Sequence, residues 1–134
     1  MRSLRYMLDT NICIYLMRHH PPGVVQRFAQ CDYGDVVMSS ITLAELRFGA
    51  LVSPQRAKED RALAGLIEDV PALPFEERAA KAYAAVRAAV RERRRDALDR
   101  LIAAHAIAAD CVLVTNNEAD FRDYPGLRLE NWVT

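Results

Sequence analysis

Four acids, Asp9, Glu45, Asp99 and Asp120, stand at places where a folded chain can gather ligands. Asp9 ends the apolar stretch Leu4 to Leu8, and Glu45 interrupts the apolar run Ile41-Thr42-Leu43-Ala44-Glu45-Leu46. Asp99 opens Leu101-Ile102-Ala103-Ala104, and Asp120 follows Val112-Leu113-Val114 within Thr115-Asn116-Asn117-Glu118-Ala119-Asp120-Phe121. Like charges brought together repel, so such a cluster needs cations or raised pKa values. Oxygen-only ligands suit Mg²⁺ or Mn²⁺, which keep waters and take a phosphate oxygen as a further ligand. Such an ion acidifies water and neutralises a scissile phosphate, so the chemistry needs no protein nucleophile. Each acid also has a structural reading: Asp9 as a helix cap, Glu45 as a solvated helix residue, Asp120 as a turn residue.

The elements that must position these acids follow from periodicity and punctuation. Leu4 to Leu8 reads as a buried strand, followed by a turn at Asp9-Thr10-Asn11 and a helix from Ile12 to Arg18. A second helix is expected from Val24 to about Cys31, then a loop at Tyr33-Gly34-Asp35 and a strand at Val36-Val37-Met38. Ser40 is placed to cap the helix that carries Glu45. Pro54 is a candidate start for a helix with Leu63, Leu66 and Ile67 at helical spacing. Val70 to Pro74 is extended, and Phe75 to about Arg93 is an Ala-rich helix with Ala79, Ala82, Tyr83, Val86 and Val90 as its stripe. A helix over Leu98, Leu101, Ile102, His105 and Ile107 leads to the strand Val112 to Val114. Asn116 to Asp123 is a loop or short helix, and Leu127 to Leu129 a final strand. Short apolar strands alternating with helices imply an α/β domain with a mainly parallel sheet, whose ligands collect beyond the carboxyl ends of its strands. Asp9 and Thr115 both fall just past a strand.

The 134 residues suit one domain, 1–134, and 51% hydrophobic with 27% charged residues is ordinary for a globular chain. No apolar run approaches the roughly 20 residues of a membrane span. Asp9, Thr10 and Asn11 cut short the basic start before a signal segment can form, so a cytoplasmic protein is expected. Cys13, Cys31 and Cys111 form no close pair, which argues against a disulfide framework or zinc site and for buried thiols. Net charge is zero, yet Arg91, Arg93, Arg94 and Arg95 concentrate positive charge before Asp96 and Asp99. That run can hold a polyanion or simply solvate a helix end. Asp96 is either a helix N-cap, the plainer reading, or a fifth acid beside Asp99. His105 lies about 600° around a helix from Asp99, on another face, and reads as a packing residue. His19 and His20 read as loop residues. Tyr15, Leu16 and Met17 read as core, with a partner groove as the alternative.

Taken in order, Met7-Leu8-Asp9-Thr10-Asn11, Ser40 to Leu46, Asp99 to Ala106, Thr115 to Phe121 and the tail Pro125 to Trp132 closely resemble PIN-domain ribonucleases. The resemblance spans nearly the whole chain and is nearest the VapC toxin branch of bacterial toxin–antitoxin systems. It implies a three-layer α/β/α domain with a sheet of four to five strands. It implies that Asp9, Glu45, Asp99 and Asp120 bind one or two divalent ions, Mg²⁺ or Mn²⁺, with Thr115 and Asn117 supporting the site. Asn11 is expected to hydrogen-bond at the start of its helix, with a pure capping role as an equal alternative. The implied reaction is endonucleolytic RNA cleavage leaving a 5′-phosphate and a 3′-hydroxyl, with Arg91, Arg93, Arg94 and Arg95 as candidate RNA phosphate contacts. Transfer RNA is the first substrate the motifs suggest. The implied partners are a second copy of the chain and a VapB-like antitoxin whose tail enters the active-site groove; operator DNA is met only through the antitoxin, and no membrane is involved. Where many relatives carry a Gly-Pro turn before the third acid, this chain has Asp96-Ala97. Two alternatives remain: a silent PIN module acting in an antitoxin–DNA repressor complex, and a Mg²⁺ phosphatase of the haloacid dehalogenase type. The latter normally needs a second aspartate where Asn11 stands.

Overall fold

Five strands form the centre of the computed structural model, which describes residues 5–90 and 97–134. They are β1 (Arg5–Leu8), β2 (Val36–Ser39), β3 (Ala72–Leu73), β4 (Cys111–Val114) and β5 (Arg128–Glu130). Their order is β3-β2-β1-β4-β5 and every pairing is parallel. β2 and β4 are buried at every residue, as strands covered on both faces must be. The helices are α1 (Thr10–Arg18), α2 (Pro22–Ala29), α3 (Ser40–Val52), α4 (Arg56–Asp69), α5 (Glu77–Ala89), α6 (Ala97–Ala108) and the single turn α7 (Glu118–Phe121).

Alternation along the strands divides the interior into two cores. Leu8, Val36, Met38 and Val114 face one layer, meeting Ile12 and Leu16 of α1, Val24 of α2, Leu46 of α3, Leu63 and Leu66 of α4, and Trp132. Met7, Val37, Cys111 and Leu113 face the other, meeting Val86 of α5 and Ile102, Ala103 and Ala106 of α6. The expected three-layer architecture with a parallel sheet is therefore present. Ala103 and Ala106 of α6 are fully buried in this second core.

Several boundaries differ from the sequence reading for local reasons. Ser39, not Ser40, caps α3: its backbone is extended and its Oγ accepts the Ile41 N–H at 3.0 Å. Ser40 Oγ instead accepts the Phe75 N–H at 3.1 Å, tying the exit of β3 to α3. The helix expected from Pro54 begins at Arg56, because Ser53 Oγ accepts the Gln55 N–H and holds a turn there. α2 begins earlier than Val24, with proline in its first turn. Val90 closes α5. Arg91, Arg93, Arg94, Arg95 and Asp96 lie outside the described residues.

His105 is buried and its Nδ1 lies 2.7 Å from Ser39 Oγ, with the Phe75 ring packed edge-on at 5.4 Å. It is a packing residue, as expected. Leu16 joins the core, and with Met17 it also lines a groove of about 380 Å³ among α1, α2 and α4. Tyr15 packs on the core edge and does not line that groove. Cys13 and Cys111 are buried thiols and Cys31 is partly buried; all three are unpaired by disulfides, and burial pushes each above its ordinary pKa. Among the described residues, no helix is long and apolar enough to cross a membrane.

Candidate active site

The strand order reverses direction between β1 and β4, and the crevice outside the carboxyl ends of those strands is where such sheets bind ligands. Asp9 leaves β1 and Thr115 leaves β4, side by side. The Asp9 N–H donates to the Val114 carbonyl at 3.0 Å, and the Thr115 N–H to the Glu130 carbonyl at 3.0 Å. Parallel pairing thus fixes both residues before any side-chain contact is made.

Asp9 is buried and caps α1, its Oδ1 accepting the Ile12 N–H at 2.9 Å. Its carboxylate also accepts from the Thr115 hydroxyl and the Asn11 N–H. Burial nevertheless dominates these three donors and raises the Asp9 pKa above its ordinary value. Thr115 Oγ1 in turn accepts the Asn117 N–H at 2.9 Å, so it bridges Asp9 to the loop after β4. Asn11 does not act as the cap, because Asp9 does; its side chain faces a cavity instead.

That cavity, of about 200 Å³, is lined by Asp9, Thr10, Asn11, Glu45, Asp99, Ile102, Asn117 and Phe121. Three of the four singled-out acids therefore share one polar hollow. Asp120 does not line it; its Oδ2 accepts a hydrogen bond from Asn117 Nδ2, which holds the lining asparagine. Three residues of the hollow were not singled out from the sequence. Thr10 Oγ1 donates to Glu45 Oε1 at 3.2 Å, linking the first and second acids across α1 and α3. Ile102 and Phe121 supply an apolar wall. Ile102 lies three residues after Asp99, a spacing that puts both on one side of α6, but only the tertiary fold shows what that side meets.

The donors facing the hollow suit a hard divalent cation, since all its acids offer carboxylate oxygen and no thiol or imidazole intrudes. Among the described residues, no three His, Cys, Asp or Glu side chains stand close enough to grip a metal ion by themselves. Mg²⁺ sites commonly use one or two carboxylates and leave the remaining positions to water and substrate phosphate. A buried Asp9 carboxylate, destabilised by desolvation, is the group a cation would most relieve.

Residues 6–127 match the PIN domain. The chain belongs to the PIN-domain family, in its VapC ribonuclease branch. This PIN domain is 34% identical over 131 residues to the tRNA(fMet)-specific endonuclease VapC of Shigella flexneri, covering 96% of this chain and 98% of that one. It superposes with a TM-score of 0.86 and 33% identity on VapBC2 from Rickettsia felis bound to a DNA fragment from its promoter, covering 96% and 99% of the two chains. VapBC-1 from nontypeable Haemophilus influenzae gives a TM-score of 0.88 at 35% identity, covering 98% and 100%. The likeness runs the length of the fold, so the crevice between β1 and β4 lies within the matched region.

Proposed function

We propose that this PIN domain is the toxin of a toxin–antitoxin pair, an endoribonuclease that hydrolyses RNA phosphodiesters with Mg²⁺ or Mn²⁺. The observation that carries the reading is the shared hollow of Asp9, Glu45 and Asp99 in a chain of the VapC branch. Asp9, Glu45 and Asp99 would hold the cation, with Asp120 setting the Asn117 amide beside them. When bound, the cation supplies an acidified water and positive charge against the phosphate. The chain's own part is positional. Thr115 and the backbone N–H groups of Asn11 and Ile12 fix the Asp9 carboxylate; Thr10 fixes Glu45; Ile102 and Phe121 limit water at the hollow's apolar side. Arg91, Arg93, Arg94 and Arg95, as phosphate contacts, complete the proposal from the sequence alone, with Asp96 either a helix cap, the plainer reading, or a fifth ligand.

The partner of the toxin is a VapB-like antitoxin, in keeping with the VapBC complexes its fold matches. The groove among α1, α2 and α4, walled by Leu16, Met17, Val25 and Phe28 with Arg61, Glu68 and Asp69 beside them, offers that partner a seat that is part apolar and part charged. The protein is read as a cytoplasmic homodimer that meets operator DNA only through the antitoxin. Transfer RNA is the substrate class favoured by the relative in Shigella flexneri.

The test uses purified, antitoxin-free protein and total RNA with Mg²⁺ or Mn²⁺. Cleavage leaving 5′-phosphate and 3′-hydroxyl ends is expected, abolished by EDTA and by Asp99→Asn. Intact RNA under both metals would overturn the nuclease reading. A second reading, a silent co-repressor, draws on the promoter-bound complex from Rickettsia felis. Growth arrest on expression, relieved by Asp99→Asn, separates a nuclease from that alternative.

A further inference from the structure

The rim of the hollow continues about two turns along α1. Asn11, which lines the cavity, is followed at helical spacing by Tyr15 and Arg18, all within about 60° around the helix axis. Asn11 and Arg18 are exposed and Tyr15 is partly buried. The Tyr15 ring rests against the core that Ile12 and Leu16 build, so its position is fixed from below. Its hydroxyl accepts from Asn116 Nδ2 at 3.4 Å, and Asn116 directly precedes the cavity-lining Asn117. The neighbouring Glu118 carboxylate is occupied by Asn131 Nδ2 at 3.2 Å. An amide, a held aromatic ring and a guanidinium therefore leave the hollow in one line, with a second amide beside the ring.

These groups match what an unpaired nucleotide needs. A rigid aromatic face stacks a base without regard to its identity, an amide reads a base edge, and an arginine meets the next phosphate. The acids of the hollow repel a phosphodiester unless a cation intervenes, so binding energy for RNA has to come from outside them. We infer that Tyr15, Asn116 and Arg18 form a subsite for single-stranded RNA beside the cleavage point, with Tyr15 stacking the adjacent base, Asn116 reading its edge and Arg18 holding the following phosphate. The inference rests on the ribonuclease reading for its substrate, and on the α1 rim for its location.

Short single-stranded oligoribonucleotides, varied one base at a time around the cleavage point, test it. Binding is measured separately with Asp99→Asn protein, which needs no catalysis. Tyr15→Ala is expected to raise KM and weaken binding by about ten-fold or more, with Tyr15→Phe close to wild type, since stacking needs only the ring. Asn116→Ala is expected to flatten the preference for the base beside the cleavage point. Arg18→Ala should weaken all sequences alike and reduce the salt dependence of binding. Unchanged binding and cleavage in both Tyr15→Ala and Arg18→Ala would overturn the subsite. So would losses confined to kcat with base preference intact, which would mark Tyr15 as a merely structural tie. Wild-type protein that binds these RNAs through Tyr15 and Arg18 but cuts none would sink the nuclease reading while leaving the subsite standing.

Discussion

Asp9 has two duties that pull against each other. As the cap of α1 it satisfies the Ile12 N–H, and as a buried carboxylate it bears a desolvation cost that three donors do not offset. Asn caps as well as Asp does, so Asp9→Asn should keep the helix and remove the charge. The expected result is lost RNA cleavage with thermal stability equal to or above wild type. Mg²⁺ should raise the wild-type Tm through binding to the folded state and leave that of Asp9→Asn nearly unmoved. Differential scanning fluorimetry with and without Mg²⁺ checks both halves. Thr115 is the natural companion test. Thr115→Val keeps the shape but removes a hydrogen-bond donor from the buried Asp9 carboxylate, so a loss of about 1–3 kcal/mol is expected. Activity should fall with it, and urea melts paired with cleavage assays measure the two together. At this scale the places of Asp9 and Asp99 were legible because strand exits and helix starts show in sequence as the ends of apolar runs. Thr10, Ile102 and Phe121 were not, because their part depends on which face of α1, α6 and α7 meets the crevice.

Among elements, the contact of α6 with the end of β2 has a pH-dependent fastening. Ser39 Oγ accepts the Ile41 N–H and shares a second hydrogen bond of 2.7 Å with His105 Nδ1. Burial lowers the His105 pKa from an ordinary value of 6.5, against a smaller upward pull from Glu76. The unfolded chain therefore takes up a proton as pH falls through about 6.5 while the folded chain resists it. His105 thus contributes a loss of stability as pH drops from 6.5 toward its lowered folded pKa, and none well above 6.5. His105→Asn should flatten that part of the stability–pH curve while the rest keeps its slope; chemical denaturation from pH 5 to pH 8 (about three units around the ordinary value) reads it. A wild-type slope unchanged in the variant would remove His105 from the account. The sequence showed that His105 faces away from Asp99, but not its partner. The sequence reading placed the cap at Ser40, one residue late, because the extended backbone that makes Ser39 the cap shows only in the fold. The same one- or two-residue ambiguity moved the start of α4 from Pro54 to Arg56.

Over the whole molecule, one surface is out of keeping with an isolated domain. Phe48, Leu51 and Val52, near the end of α3, are 66%, 56% and 61% exposed. With Ala44, also exposed, they make an apolar face on the helix that carries Glu45. Exposed large apolar side chains are common singly, but three within five residues of one helix mark an interaction surface. A C₂ dimer places the same patch of each copy against the other, so an apolar helix face is self-complementary without any second surface. The homodimer expected from the family resemblance is therefore proposed to form across α3. This placement would set the Glu45 side of each hollow beside the partner copy. Phe48→Glu introduces a charge at the centre of the patch while leaving the buried Leu46 and Ala50 untouched. The expected outcome is a shift from dimer to monomer mass in light scattering, with an unchanged circular dichroism spectrum. A wild-type chain that is monomeric at micromolar concentration would refute the dimer; a Phe48→Glu variant that stays dimeric would move the interface away from α3. Cleavage measured on the same samples then shows whether the hollow works in a single chain, because the Asp9, Thr10, Glu45 and Asp99 lining is complete within one copy.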